Sequence, residues 1–251
     1  MKLTYLAHSC VHIETGKHKL LIDPYISGNP KSPAKAHEIE CDYILLTHGH
    51  DDHVGDAADI ARRTGATIIA NYEIATFFGS QGLTTHGMYH GGKYDFPFGR
   101  AKMVIAHHGS GFSSGQGPLV YMGNPAGFVL TLEGKNVYHA GDTSLFLDME
   151  LIGRMNPLEL AILPIGDNFT MGIEESAEAM RLLRPKRAMP IHYNTWDIIK
   201  ADTGAFTTAA TELGVQPLVM KPGETVEIYV GSSAATGAPL IFEAYFDDDG
   251  V

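Results

Sequence analysis

The sequence predicts an α/β fold in which sheets are covered by helices on their outer faces. Strand-like runs begin each part of the chain, and amphipathic helical patterns are interleaved with them. Of the 251 residues, 44% are hydrophobic and 19% charged, which is the balance of a globular protein with a well-buried core. We therefore expect a layered domain built around sheets.

In the first half of the chain, strand-like runs precede and separate two helical patterns. Thr15, Gly16 and Lys17 form the turn between two of the strands, and Thr64 with Gly65 is typical of a helix end. The predicted strands cover residues 3–6, 11–14, 19–22, 41–46 and 67–70, and the predicted helices cover residues 54–63 and 72–78.

The second half repeats this alternation after a stretch without clear periodicity. Residues 79–99 are rich in Gly and His and are predicted as loop. Glu133, Gly134 and Lys135 form a hairpin turn. The predicted strands cover residues 101–106, 127–132, 136–139, 160–165, 187–191, 215–220 and 225–230, and the predicted helices cover residues 174–183 and 203–213.

We find no domain boundary before about residue 230. The sequence therefore predicts one domain over residues 1–230 and a C-terminal extension over residues 231–251. The extension begins with small residues, continues with an apolar segment and ends in acidic residues. Its composition fits either a loose tail or an added edge strand that contacts a partner.

Composition and charge exclude several classes of protein. With 18 Lys and Arg against 29 Asp and Glu, the formal net charge is −11, which disfavours a nucleic-acid partner. No apolar run approaches the roughly 18 residues of a membrane helix, and no signal peptide precedes the first strand. Two cysteines do not make a disulfide framework, so we expect a cytoplasmic protein without a membrane partner.

The strongest motif is Thr47-His48-Gly49-His50-Asp51-Asp52-His53, which follows an apolar strand and precedes a helix. His48 and His50 are two residues apart, so both imidazoles can face one metal ion as the chain leaves the strand. Asp52 and His53 come one turn later and can serve a second ion nearby. A solvated surface loop is a poor alternative, because so dense a cluster of ligand-type residues is costly without such a role.

Three further candidates lie downstream, each at the end of a strand-like run. They are the pair His107 and His108, then Asp142, then His192. The ends of strands are where an α/β domain gathers residues that are distant in sequence. We therefore expect these side chains to join the first motif.

The set of motifs resembles the metallo-β-lactamase superfamily, whose signature is H-x-H-x-D-H followed by separate His, Asp and His motifs. The matching stretches are residues 21–24, 45–56, 139–142, 163–172 and 189–194. Within the superfamily, the chain resembles the metal-dependent hydrolases of the YtkL type, which are related to ascorbate-6-phosphate lactonases. The resemblance implies a single-domain, four-layer αββα sandwich.

The resemblance also implies two metal sites that share one carboxylate. The first would use His48, His50 and His108, the second would use Asp52, His53 and His192, and Asp142 would bridge the two. His108 is preferred because the family pattern has Ser two residues after the ligand, as Ser110 is here, and His107 is the alternative. Nitrogen and oxygen ligands suit Zn, with Mn, Fe or Ni as alternatives.

Two residues outside the ligand set are predicted to support the site. Asp23 ends a strand and is expected to hydrogen-bond a ligand imidazole from behind, the alternative being a carboxylate that only ends a turn. His8 matches a histidine of the family and is expected, with Asp52, to take part in catalysis by orienting substrate or donating a proton. A histidine satisfied within the core is the alternative for His8.

Three residues are candidates for the substrate pocket. Asn168 and Thr170 lie in a loop after a strand and are predicted to bind substrate, the alternative being a capped turn. Trp196 follows His192 closely and is expected either to wall the pocket or to pack in the core.

These expectations combine into a dinuclear metal-dependent hydrolase. Two divalent ions, Asp52, Asp142 and a metal-bridging hydroxide sum to a charge of about +1, so the site is electrophilic and the hydroxide forms near neutral pH. The expected substrate is a small-molecule ester, lactone, amide or phosphodiester, and the resemblance implies a homo-oligomer. The alternatives are a nuclease or phosphodiesterase of the same superfamily, which needs a basic groove, and a non-catalytic metal-binding module.

Overall fold

Two seven-stranded sheets pack face to face in the computed structural model, which describes residues 1–113, 115 and 117–228. The first half contains β1 (Lys2–Tyr5), β2 (Val11–Thr15), β3 (His18–Ile22), β4 (Tyr43–Leu45), α1 (Asp51–Val54), α2 (Ala57–Thr64), β5 (Thr67–Asn71), α3 (Tyr72–Gly79), β6 (Thr85–Met88), β7 (Lys93–Phe96), β8 (Gly99–Ile105), β9 (Gly111–Phe112) and β10 (Val120–Tyr121). The second half contains β11 (Ala126–Leu132), β12 (Lys135–His139), α4 (Met149–Met155), β13 (Leu158–Pro164), α5 (Ile173–Leu183), β14 (Arg187–Ile191), α6 (Thr203–Glu212), β15 (Gln216–Pro217) and β16 (Thr225–Glu227).

The two sheets are built alike, each with an antiparallel part and a parallel part. The first has the order β16-β1-β2-β3-β4-β5-β6 and is parallel from β3 to β6. The second has the order β15-β14-β13-β12-β11-β8-β7 and is parallel from β12 to β15. Because parallel strands end at the same edge of a sheet, each sheet sends several loops to one edge.

Alternating side chains divide the core into three layers. Leu20 and Ile22 of β3 lie between the two sheets, whereas Leu21 faces the helices α2 and α3. In the second sheet, Leu160 lies between the sheets and Ala161 faces α4, α5 and α6. The period of two along a strand thus buries both faces of both sheets. The result is a four-layer αββα sandwich, and the predicted fold class is confirmed.

The structure differs from the sequence prediction in several elements. The helix predicted over residues 54–63 begins only at Ala57, because Gly55, whose φ is 41°, separates α2 from the short helix α1. The predicted loop over residues 79–99 contains β6 and β7, which are the edge strands of their sheets. Met88 is the one buried residue of these two strands, so no apolar alternation marks them in the sequence. The helix α4 was also missed.

The C-terminal extension predicted over residues 231–251 lies outside the described residues, as does the end of the strand predicted over residues 225–230. The division at residue 230 therefore stays a prediction. Within the described part of the chain, every helix is too short or too polar to cross a membrane.

Candidate metal centre

The ends of strands from both sheets meet at one edge of the sandwich. In the first sheet, Asp23 follows β3 and His48 comes shortly after β4. In the second sheet, Asp142 follows β12 and His192 directly follows β14. All four side chains are at most 2% exposed, so the edge forms a buried cluster of ligand-type residues. The chain topology alone brings together residues that are more than a hundred positions apart.

One group of three imidazoles comes from His48, His50 and His108. The Nε2 atom of His48 lies 3.0 Å from Nδ1 of His50. The ring of His108 lies 5.1 Å from that of His48 and 5.0 Å from that of His50, measured between centroids. Two nitrogens on one tetrahedral zinc ion are roughly 3.4 Å apart, so this group has the spacing of a single metal site.

A second group gathers around the carboxylate of Asp52. Its Oδ2 atom lies 3.8 Å from Nε2 of His53 and 3.8 Å from Nε2 of His192. The same oxygen lies 3.0 Å from Nε2 of His8. The ligand-type atoms of these four residues all lie within 4.8 Å of one another.

Asp142 lies between the two groups. Its Oδ2 atom is 3.0 Å from Nε2 of His192 and 3.3 Å from Nε2 of His53, both of the second group. It is also 3.5 Å from Nε2 of His108, which belongs to the first group. A single carboxylate oxygen therefore contacts imidazoles of both groups.

Two buried polar atoms of the cluster lack a partner within the described protein, as expected of metal ligands. Among the described residues, Nε2 of His53 and Oδ1 of Asp142 have no hydrogen-bond partner. Buried polar atoms are otherwise almost always paired, and an unpaired one costs about 1–3 kcal/mol. The donor set consists of imidazole nitrogens and carboxylate oxygens, so these residues fit divalent metal ions.

Asp23 fixes the orientation of one imidazole in each group. Its Oδ2 atom accepts a hydrogen bond of 2.8 Å from Nδ1 of His53. The same atom accepts one of 2.7 Å from the hydroxyl of Thr47, whose oxygen lies 3.0 Å from Nδ1 of His48. Because the Thr47 proton goes to the carboxylate, the hydroxyl oxygen accepts from His48. Both imidazoles therefore donate from Nδ1 and turn Nε2 toward the cluster, which is the atom a metal ion would bind.

His8 joins the second group through a short hydrogen-bonded chain. Burial lowers the pKa of His8 to about 4, so the imidazole is neutral near pH 7. Its Nε2–H donates to Oδ2 of Asp52, because an ionised carboxylate only accepts. Its Nδ1 then accepts from the hydroxyl of Thr195 at 2.8 Å. The hydrogen bonds therefore run from Thr195 to His8 and from His8 to Asp52.

The charged groups of the cluster shift one another's pKa values. Burial alone raises the pKa of Asp52, but the charge of His53 and the hydrogen bonds with His192 and His8 lower that pKa well below its usual range. Burial also lowers the pKa of His192, yet the adjoining Asp142 carboxylate outweighs it and raises the pKa to about 9. The two carboxylates thus stay ionised, as metal ligands must.

Left-handed backbone conformations aim several of these side chains. The φ angles are 56° at His8, 46° at Asp23 and 54° at His192, each at the point where a strand ends. Residues other than Gly adopt such angles at a cost of about 1–3 kcal/mol, and they cluster at functional sites.

The neighbouring histidines 107 and 108 have different surroundings. His108 lies in the first group, whereas His107 is exposed and packs its ring 5.0 Å from that of Phe146. The hydroxyl of Ser110, two residues after His108, accepts a hydrogen bond of 3.0 Å from the backbone N–H of Gly49. That bond ties the loop of His108 to the loop of His48 and His50.

A cavity of about 530 Å³ opens over both groups. Trp196 lines it, as one of the two sequence interpretations expected. Asn168 and Thr170 do not line it; Phe169 between them does. Left-handed angles at residue 167 and at Asn168 turn this loop so that the ring faces the cavity, while the hydroxyl of Thr170 bonds to the backbone of Met171. Substrate contact by Asn168 and Thr170 stays a prediction without support from this geometry.

Sequence reasoning missed Thr47 and Thr195, which hold His48 and His8, and the cavity residues Tyr25 and Phe169. Thr47 could have been noticed, because it directly precedes the histidine motif and follows an apolar strand. Thr195 carries no such signal, since its contact joins positions 187 residues apart.

Comparisons with known proteins agree with this geometry. A family model described as the Beta-lactamase superfamily domain matches residues 18–193. A relative from Pelotomaculum thermopropionicum, called a UPF0173 metal-dependent hydrolase, is 48% identical over 231 residues, which cover 91% of this chain and 100% of the relative. The narrower resemblance to the YtkL type stays a prediction.

Solved structures show the same fold. Igni18, described as a novel metallo hydrolase from Ignicoccus hospitalis, is 37% identical, with a TM-score of 0.82 and coverage of 90% of this chain and 97% of that chain. CmlA, a diiron β-hydroxylase from Streptomyces venezuelae, is 12% identical, with a TM-score of 0.70 and coverage of 90% of this chain and 54% of that chain. The likeness to CmlA shows the fold alone, and one fold can support different chemistry. The family match and the relatives show that this chain belongs to the β-lactamase superfamily and, within it, to the UPF0173 metal-dependent hydrolases.

Proposed function

We propose that the chain is a dinuclear hydrolase that acts on a small molecule. The observation that carries this proposal is the position of Asp142, whose Oδ2 atom lies within 3.5 Å of imidazole nitrogens from both groups. In the proposed site, His48, His50 and His108 would hold one ion, Asp52, His53 and His192 would hold the other, and Asp142 would be a ligand shared by the two.

Two divalent ions supply, when bound, a hydroxide near neutral pH and a positive site for the oxygen that gains charge during hydrolysis. The chain contributes the geometry. Asp23 and Thr47 hold His53 and His48 in the tautomers that present Nε2, so the ligand atoms do not reorganise when an ion arrives. Zinc is the preferred ion for this set of nitrogen and oxygen ligands, with manganese, iron and nickel as alternatives.

His8 is proposed to act in the reaction through Asp52. It touches the carboxylate that faces the cavity and is itself held by Thr195. A neutral imidazole at this position can orient Asp52 and pass a proton along the chain that joins it to Thr195. The protein is further proposed to work in the cytoplasm, because Cys10 and Cys41 are both buried free thiols, as is usual in a reducing compartment.

The proposal is tested by comparing the protein with the variant Asp142→Ala on a panel of an ester, a lactone, a thioester and a phosphodiester. The parent protein is expected to hydrolyse at least one class. The variant is expected to lose bound metal and activity while its circular dichroism spectrum is unchanged. Asp148→Ala, which removes an exposed carboxylate outside the cavity, is the matched control. Full activity and metal content in Asp142→Ala would refute the role of this carboxylate.

A further inference from the structure

The cavity over the cluster has two kinds of wall. Its floor consists of ligand-type side chains, whereas its sides consist of Tyr25, Leu119, Phe169 and Trp196. Three of these apolar side chains are strongly exposed: Leu119 by 67%, Phe169 by 50% and Trp196 by 36%. Large apolar side chains that converge on one cavity, next to a few polar groups, are typical of a binding site for an apolar molecule.

The apolar wall reaches the reacting groups. The ring of Trp196 lies 5.0 Å from that of His8 in an edge-to-face contact, and His8 bonds Asp52. Trp196 also lies 6.2 Å from the ring of Tyr25. A group held against Trp196 is therefore close to the carboxylate of the second metal group. Planar groups gain about 0.5–1.5 kcal/mol per aromatic contact beyond the area they bury.

The walls carry no positive charge. Among the residues that the structure describes, neither Lys nor Arg lines the cavity, and the remaining residues of the sequence include no Lys or Arg. Asp51 instead adds a carboxylate to the lining. With Asp51 included, the expected charge of the loaded site falls from about +1 to about zero. Proteins that recognise phosphate or carboxylate groups usually place Arg or Lys against them.

We propose that the substrate is a neutral carboxylic ester or lactone with a planar apolar group, which lies against Trp196, Phe169 and Leu119. This narrows the substrate class of the proposed hydrolase and rests on that proposal. It predicts that phosphodiesters, which are anionic, are poor substrates. In the reaction, water gives OH to the acyl carbon and H to the leaving oxygen while the acyl C–O bond breaks, so no oxidant or reductant is needed. The cavity of about 530 Å³ accommodates a molecule of this size.

The first test measures binding and does not depend on turnover. Trp196 is the only Trp of the chain, so its fluorescence reports on the cavity wall directly. The metal-loaded protein is titrated with benzamide and with 4-carbamoylbenzenesulfonate, which has the same ring and amide but carries an anionic group. We expect benzamide to change the fluorescence with a Kd at least about tenfold lower, equivalent to about 1.4 kcal/mol. Equal or tighter binding of the sulfonate would overturn the proposal.

The second test compares kcat/KM for 4-nitrophenyl benzoate, 4-nitrophenyl 4-sulfobenzoate and bis(4-nitrophenyl) phosphate. We expect the neutral benzoate to be preferred over both anions by about tenfold or more. Hydrolysis that favours either anion would overturn this proposal while leaving the metal-dependent hydrolase intact. Failure of the loaded protein on all esters, lactones and phosphodiesters, with benzamide still bound, would instead refute the proposed function.

Substitutions in the apolar wall of the cavity test substrate recognition separately from the metal centre. Trp196→Ala is expected to raise KM for the benzoate by more than it raises KM for 4-nitrophenyl acetate, because only the benzoate has a ring to place there. Leu119→Lys is expected to shift selectivity at least about tenfold toward the sulfobenzoate. Met155→Lys, on the exposed face of α4 and away from the cavity, is the matched control. Unchanged selectivity in Leu119→Lys would contradict the electrostatic part of the proposal.

Discussion

At the scale of single residues, the site depends on side chains that touch no substrate. Asp23 is fully buried and holds an imidazole of each group, one directly and one through Thr47. The sequence predicted that Asp23, which ends a strand, supports a ligand imidazole, with a carboxylate that only ends a turn as the alternative. It could not predict that His48 is included, because that link runs through a hydroxyl whose partner depends on how the strands align.

Thr47→Val tests this link with a side chain of nearly the same shape. It removes the acceptor for Nδ1–H of His48, so we expect metal affinity to fall by about 10–100-fold while the fold is kept. Titration with metal against a chelator of known affinity measures the change. Thr47→Ser retains a hydroxyl and is expected to keep most of the affinity. An affinity in Thr47→Val that equals that of the parent would show that the hydroxyl does not hold the imidazole.

His8→Ala tests whether this histidine serves the reaction or the metal. We expect kcat to fall by about 100-fold, the usual contribution of a positioned acid or base, with little loss of bound metal. His8→Gln keeps a donor for Asp52 but does not exchange protons, so it is expected to remain slow. Measurements of kcat and of metal content on the same samples distinguish the outcomes, and a large loss of metal in His8→Ala would make His8 a ligand.

At the scale of elements, the break between α1 and α2 sets the position of α1, which carries two residues of the second group. The periodic apolar pattern predicted one helix, because such a pattern indicates which face is buried but does not indicate where the backbone leaves the helical conformation. Gly55 interrupts that helix with a left-handed φ, and a side chain there would collide with the backbone of Pro24 and Tyr25. The loop after β3 therefore packs against the end of α1, which carries Asp52 and His53.

Gly55→Ala is expected to destabilise the protein by more than about 1 kcal/mol and to weaken metal binding, because the added methyl group pushes α1 away from the loop that holds Asp23. Urea unfolding with and without metal measures both effects. Gly16→Ala is the matched control, since Gly16 also has a left-handed φ, of 55°, but faces open space. An equal loss in the free energy of unfolding for the two variants would mean that the left-handed φ alone, and not the collision, destabilises Gly55→Ala.

At the scale of the whole molecule, the two sheets have separate roles for the same centre. The first supplies His48, His50, Asp52 and His53 from one continuous motif, which is why the sequence alone could identify them. The second supplies His108, Asp142 and His192 from three different loops. Their convergence was expected from the resemblance and from the rule that strand ends meet, yet the apolar wall of Phe169 and Leu119 was not. Wall residues have no motif, since many large apolar side chains can fill such positions.

The central claim is that Asp142 joins two metal ions in one chain. Elemental analysis of protein purified without a histidine tag, after reconstitution with zinc and removal of excess ion, tests it most directly. We expect about two ions per chain in the parent and a clear loss in Asp142→Ala, because that residue contacts imidazoles of both groups. A saturating content of one ion per chain or less, with the fold intact, would contradict the dinuclear account.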